Sequence, residues 1–74
     1  MSENTQPRPF DPSRLREARG DRSREDLGLI ADVTARTVWN WETGRSVPDA
    51  TQLEAIAVAT GKSLDFFFRS GQAA

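Results

Sequence analysis

Arg36 and Asn40 are side chains of the two types best suited to reading nucleotide bases edge-on. A guanidinium donates two parallel hydrogen bonds to guanine, and a carboxamide both donates to and accepts from adenine. Their spacing places them one turn apart on a single face if the segment is helical. The neighbouring residues favour a helix over about 35–43. Val38, Trp41 and Glu42 fall together on one side, while Arg36, Trp39, Asn40 and Thr43 lie on the other. Thr34 stands before it as an N-cap, and Gly44 follows as a left-handed C-terminal residue.

A second short helix must come just before. Ser23 is an N-cap, and Asp26 is placed to return the bond in a capping box. Leu27, Ile30 and Ala31 then recur at i, i+3 and i+4, which is helical periodicity. Asp32 interrupts the pattern and Val33 resumes it, so a tight turn joins the two helices. A short helix, a turn, and a second helix offering base-reading side chains suit a helix-turn-helix reader. The spacing alone suits equally well an ordinary helical hairpin whose polar face is merely solvated.

Further residues carry a resemblance that tips this balance. Arg19-Gly20, Ser23, Leu27, Ala31, Val33-Thr34, the run 37–45 (Thr-Val-Trp-Asn-Trp-Glu-Thr-Gly-Arg), Pro48, Leu53, Ala57, Gly61 and Ser63-Leu64-Asp65 together resemble the phage-repressor (Cro-like, lambda-repressor-like) helix-turn-helix family. The likeness spans roughly residues 13–69. Its most specific part is hydrophobic-x-x-Trp-Glu-x-Gly-Arg-x-x-Pro, with Ser-x-x-x-Leu upstream. The chain departs from the family pattern at four places. Arg24 stands where a phosphate-binding Gln is frequent, Gly28 where Ala is usual, and Asp32 where the turn usually has Gly. The loop after Gly20 is one residue longer.

The resemblance implies an all-α fold, a compact bundle of about five short helices containing the helix-turn-helix, and a sequence-specific transcriptional regulator of double-stranded DNA. By the same resemblance Ala35, Arg36, Thr37 and Asn40 match positions that meet base edges. The chemistry agrees for Arg36 on guanine, Asn40 on adenine and Ala35 against a thymine methyl. Arg24, with the first amides of its helix, would hold a phosphate, and Arg45 would take another beyond the recognition helix. Arg22, Ser23, Thr34, Trp39 and Thr43 complete the expected phosphate-facing set. Trp39 has three readings: along the phosphates, against a thymine methyl, or as cover for the following loop. Arg16 matches the family's first-helix arginine that pairs with the glutamate closing the recognition helix, here Glu42. Both of them pointing into water is the alternative.

Composition excludes other classes. The chain has 74 residues, one small domain's worth. With no cysteine and no histidine it lacks disulfides, thiolate chemistry and the commonest general base and metal ligand. No apolar run approaches the roughly 18 residues of a membrane span, and the polar start is no signal peptide, so the cytoplasm is the expected location. Net charge −1 and pI near 5.3 argue against an indiscriminate polyanion binder. Arg22, Arg24, Arg36 and Arg45 nevertheless gather at the ends of the two helices that would face a duplex.

In chain order, residues 1–9 read as a flexible arm, in which only Arg8 is basic. Asp11-Pro12 starts a helix, with Phe10 and Leu15 as a hydrophobic staple, and Gly20 ends it. Gly28, a poor helix former, allows close approach of the two helices. Arg45-Ser46-Val47-Pro48 is an extended connector. Asp49 and Gln52 box the start of a fourth helix, 50–60, which turns Leu53, Ile56, Ala57 and Thr60 inward. Ser63 caps a last helix, 64–69, and residues 70–74 are a frayed tail. The domain itself is expected over residues 10–69. On that last helix Leu64, Phe67 and Phe68 share one face, leaving Phe66 outward as an anchor for a homodimer on a palindromic site. Phe66 folded back over the fourth helix near Val58 is the alternative.

Two other functions compete with DNA reading. An antitoxin-like or other protein-interaction module is possible on the same fold, with a toxin or other regulatory protein as partner, since fold does not fix function. An enzyme would have only carboxylates to work with and no evident cleft. No cofactor and no metal are expected.

Overall fold

The computed structural model describes residues 9–68. Four α-helices and a closing 3-10 turn follow one another: α1 Pro12–Arg19, α2 Arg24–Ala31, α3 Ala35–Glu42, α4 Ala50–Thr60 and the turn Leu64–Phe67. The expected residues 1–8 of the arm, Arg69 and the 70–74 tail lie outside the described residues.

Each helix starts on a side-chain cap that satisfies an otherwise orphaned amide. Asp11 accepts from Ser13 N, Ser23 from Asp26 N, Thr34 from Thr37 N and Asp49 from Gln52 N. The box expected at α4 closes in both directions, Gln52 Oε1 accepting from Asp49 N over 2.8 Å. At α2 the forward bond, Ser23 Oγ to Asp26 N at 3.0 Å, is the one formed.

The turn between α2 and α3 depends on two residues. Asp32 takes a left-handed backbone, φ 63° and ψ 45°, which aspartate tolerates better than most residues. The amide of Val33 then donates to Gly28 O over 2.8 Å, folding the turn onto the helix it leaves. That closeness explains Gly28: a Cβ there would stand 2.5 Å from Val33 O and 3.3 Å from Thr34 C. The glycine thus makes room for the turn's own backbone, where close approach of the two helices was expected.

The core is Leu15 of α1, Leu27 and Ala31 of α2, Val38 and Trp41 of α3, Leu53, Ile56 and Ala57 of α4, and Phe67. Each large apolar side chain fully buried there contributes about 1.5–3 kcal/mol. Thr60 is half-buried, its hydroxyl donating to Ile56 O over 2.8 Å. The chain ends of the fold are tied together by an antiparallel bridge between Phe10 and Phe68, with Asp11 N donating to Phe67 O over 2.9 Å.

The final element corrects an expectation. It is a four-residue 3-10 turn, with about three residues per turn rather than 3.6, so α-helical face assignment does not apply. Of the three side chains assigned to its inner face, Phe67 is buried, Phe68 half-buried and Leu64 46% exposed. Phe66 does not stand out in solvent. Its ring is half-buried, meets Phe67 edge-on at 5.4 Å, and has Arg14 Cζ and Lys62 Nζ at 4.8 and 4.9 Å. Arg14 Nη1 also donates to Phe66 O over 2.9 Å. Nor does Phe66 fold back over α4 at Val58, which is 78% exposed.

Candidate nucleic-acid interface

The face of α3 opposite Val38, Trp41 and Glu42 carries the side chains of interest. Arg36 and Thr43 are exposed, and Ala35, Thr37, Trp39 and Asn40 are half-buried. The buried side locks the helix against α1 and α2, so the outward side chains stand on a fixed platform. Several polar atoms here are already engaged. Thr34 Oγ1 accepts from Thr37 N and lies 3.2 Å from Thr37 Oγ1. Thr43 Oγ1 donates to Trp39 O over 2.9 Å, so its one proton must rotate away before it serves a phosphate. The guanidinium carbons of Arg36 and Arg45 lie 5.0 and 4.9 Å from the Trp39 ring centroid.

The start of α2 offers the second group. Ser23 Oγ accepts from Asp26 N, which leaves its proton for an incoming anion. Arg22 Nη2 donates to Ala59 O over 3.1 Å, so this arginine braces the end of α4. Arg24 turns its Nε inward to Glu42 Oε1 at 3.0 Å, and its side chain is 41% exposed.

Glu42 joins these helices. Its carboxylate is 2% exposed and accepts from Arg19 Nε at 2.6 Å, Arg19 Nη2 at 3.1 Å and Arg24 Nε at 3.0 Å. A buried carboxylate requires such partners, but they are not the one expected. Arg16 is exposed on α1, and the residue one turn later, Arg19, reaches Glu42. Arg19 is at the end of α1, where its Nη1 also donates to Arg22 O over 2.9 Å. Arg19 thereby fastens the α1–α2 loop and the end of α3 together. The resemblance pointed to Arg16 alone, although Arg19 falls in the same last turn of α1.

Among the described residues no acidic cluster is arranged to hold a metal ion, and no helix is long and apolar enough to cross a membrane. Two capped helices on a tight turn, the second presenting an arginine and an asparagine from a locked platform, define a helix-turn-helix DNA-binding domain. A helix-turn-helix family model matches residues 13–67, and the chain belongs to that family, of the phage-repressor-like type. It is accordingly a DNA-binding helix-turn-helix regulator. No curated protein and no solved structure matches it significantly.

Proposed function

We propose that the protein reads a specific double-stranded DNA site by laying α3 in the major groove. The observation that carries this is the outward pair Arg36 and Asn40 on a helix whose other face is locked by Val38, Trp41 and Glu42. In this reading Arg36 meets a guanine and Asn40 an adenine. Ala35 packs on a thymine methyl, and Thr37 lies at a neighbouring base edge. Arg24, Ser23 and the first amides of α2 take one phosphate. Arg45 and Thr43 take another past the end of α3, while Thr34 and Arg22 lie at the margins. The low net charge makes indiscriminate binding weak, so discrimination rests on the base contacts. Such a regulator works where the DNA is, in the cytoplasm or nucleoid, as one domain over residues 10–69.

Selection of bound duplexes from a random pool tests the assignment. On the selected site Arg36→Ala and Asn40→Ala each cost roughly 1–3 kcal/mol and relax preference at one base position. Parent-like binding by both variants, with loss only in Arg24→Ala, refutes it.

The site is expected to be roughly palindromic and bound by a homodimer, which sets two recognition helices about 34 Å apart on successive major-groove faces. Phe66, expected as its anchor, is half-buried, its ring edge-on to Phe67. Val58 and Leu64, 78% and 46% exposed, are the apolar side chains open toward the end of the described fold. Sedimentation of the protein with a two-half-site operator checks this: one copy per operator rules it out.

A second reading, as a protein-interaction module, is favoured by one observation. An open groove of about 490 Å³ is lined mainly by Ile30, Ala55, Val58 and Ala59. A stable co-purifying protein, with no salt-dependent gel shift on promoter DNA, selects that reading over DNA recognition.

A further inference from the structure

Two guanidinium groups converge on one indole beside the reading face. Arg36 Cζ is 5.0 Å and Arg45 Cζ 4.9 Å from the Trp39 centroid. The first contact follows from helix geometry, since residues three apart are neighbours on an α-helix. The second does not, because Arg45 lies beyond the end of α3. Its approach is set by the backbone. Arg45 N donates to Asn40 O over 2.8 Å, and Gly44 before it takes φ +80°, a conformation open to glycine. The ion pairs formed among the described residues engage neither arginine. Both are exposed, while the indole is half-buried.

An exposed arginine samples many rotamers, and gripping a base or phosphate requires freezing it in one. Two like charges brought to one ring also repel, and the indole's negative face offsets that repulsion. We propose that Trp39 is a positioning residue: it holds Arg36 and Arg45 in place before DNA arrives and orders the base-reading and phosphate-binding arginines together. Trp39 acts through these two side chains, without itself gripping a base. The inference rests on α3 being the DNA-reading helix. It also makes one residue govern base preference and general affinity at once, which packing over the loop would not do.

The first arm of the test needs no DNA. Proton NMR of the free parent shows the side-chain methylene signals of Arg36 and Arg45 displaced upfield by the indole ring current. The displacement shrinks in Trp39→Phe and vanishes in Trp39→Met. Ordinary arginine shifts in the folded parent overturn the proposal, whether or not the Met variant folds.

The second arm uses the duplex selected by the parent. Trp39→Met weakens binding about 5- to 30-fold, the worth of two exposed cation–π contacts, and flattens preference at the base read by Arg36. Trp39→Phe restores most of that preference. In an Arg36→Ala background the same Trp39→Met change costs less. Intact base preference in a folded Met variant, or equal losses in both backgrounds, overturns the proposal. If the parent selects no duplex, the specificity role falls with the proposed function. Upfield arginine signals in that same sample then identify DNA reading, and not the stack, as the step that failed.

Discussion

Arg19→Ala removes two of the three hydrogen bonds that the buried Glu42 carboxylate accepts from arginines. What remains is Arg24, whose side chain is 41% exposed against 16% for Arg19. Stripping one partner from a well-buried ion pair costs ~3–5 kcal/mol, because the other charge is left in a poor solvent. Arg24 still neutralises the carboxylate, so the loss should sit at the lower end, about 3 kcal/mol. For Arg24→Ala, water already screens the pair and Arg19 keeps its bidentate grip, giving a loss of about 1 kcal/mol or less. Arg16→Ala, on an exposed side chain, should stay within about 0.5 kcal/mol. A domain of this length has ~4–11 kcal/mol of stability in total, so the Arg19 effect is large. Urea denaturation reads it directly. With m of about 1 kcal/mol/M, the Arg19→Ala midpoint falls by roughly 3 M, and the slope is unchanged. Combining Arg19→Ala with Glu42→Gln should cost clearly less than the two single losses added, since the second change relieves a charge already stranded. Additive losses below ~1 kcal/mol, or coupling that appears with Arg16 instead, refute the pairing and with it the account of how α1 holds α3.

Four other outcomes follow from the same geometry. Gly28→Ala places a methyl group 2.5 Å from Val33 O and should lower stability by about 1–3 kcal/mol through overpacking, against the gain that alanine brings to an ordinary helix; an unchanged urea midpoint contradicts the tight turn. At Asp32, with φ 63°, the order of stability should be glycine at least equal to aspartate, and both above alanine, as ranked by thermal melts of the three proteins. Arg45→Ala should weaken binding evenly across sequences and lower the salt slope by about one. Arg24→Ala should do the same while also lowering the urea midpoint. A shifted base preference with an unchanged slope in either variant contradicts a phosphate role.

What the sequence made legible is local. Caps at Asp11, Ser23, Thr34 and Asp49 announce helix starts because each is a bond between residues two or three apart. The inward positions Leu27, Ala31, Val38, Trp41, Leu53, Ile56 and Ala57 follow from a 3.6-residue period, and all are buried. The family motif around Trp41-Glu42 is dense enough to identify the turn and the helix after it. Three features were not legible, each for a separate physical reason. A 3-10 turn replaced the expected last helix, because three consecutive phenylalanines have no periodicity that fixes which ring goes inward. Arg16 and Arg19 are chemically equal and one turn apart, so only the entry angle of the α1–α2 loop decides which reaches Glu42. The approach of Arg45 to Trp39 spans a helix end and a left-handed glycine, where no repeat predicts direction.

The departures from the family pattern also make sense together. Arg24 occupies a place where the family often has a neutral, phosphate-binding side chain. It brings a charge that must be accommodated near the N-terminus of α2, where the helix dipole disfavours cations. Glu42 accommodates it: one carboxylate, 2% exposed, now serves two guanidiniums. The node therefore carries one positive charge in excess, and the exposed part of Arg24 is where that excess meets solvent. A phosphate at the start of α2 would complete the balance, drawing on the amides and Ser23 as well as on Arg24. The same residue tethers α2 to α3 inside the fold, and in the proposed complex it would face the backbone of a duplex outside it. Binding and stability should be coupled at Arg24 and separable at Arg45, whose guanidinium lies against an indole and takes no part in the buried ion pairs.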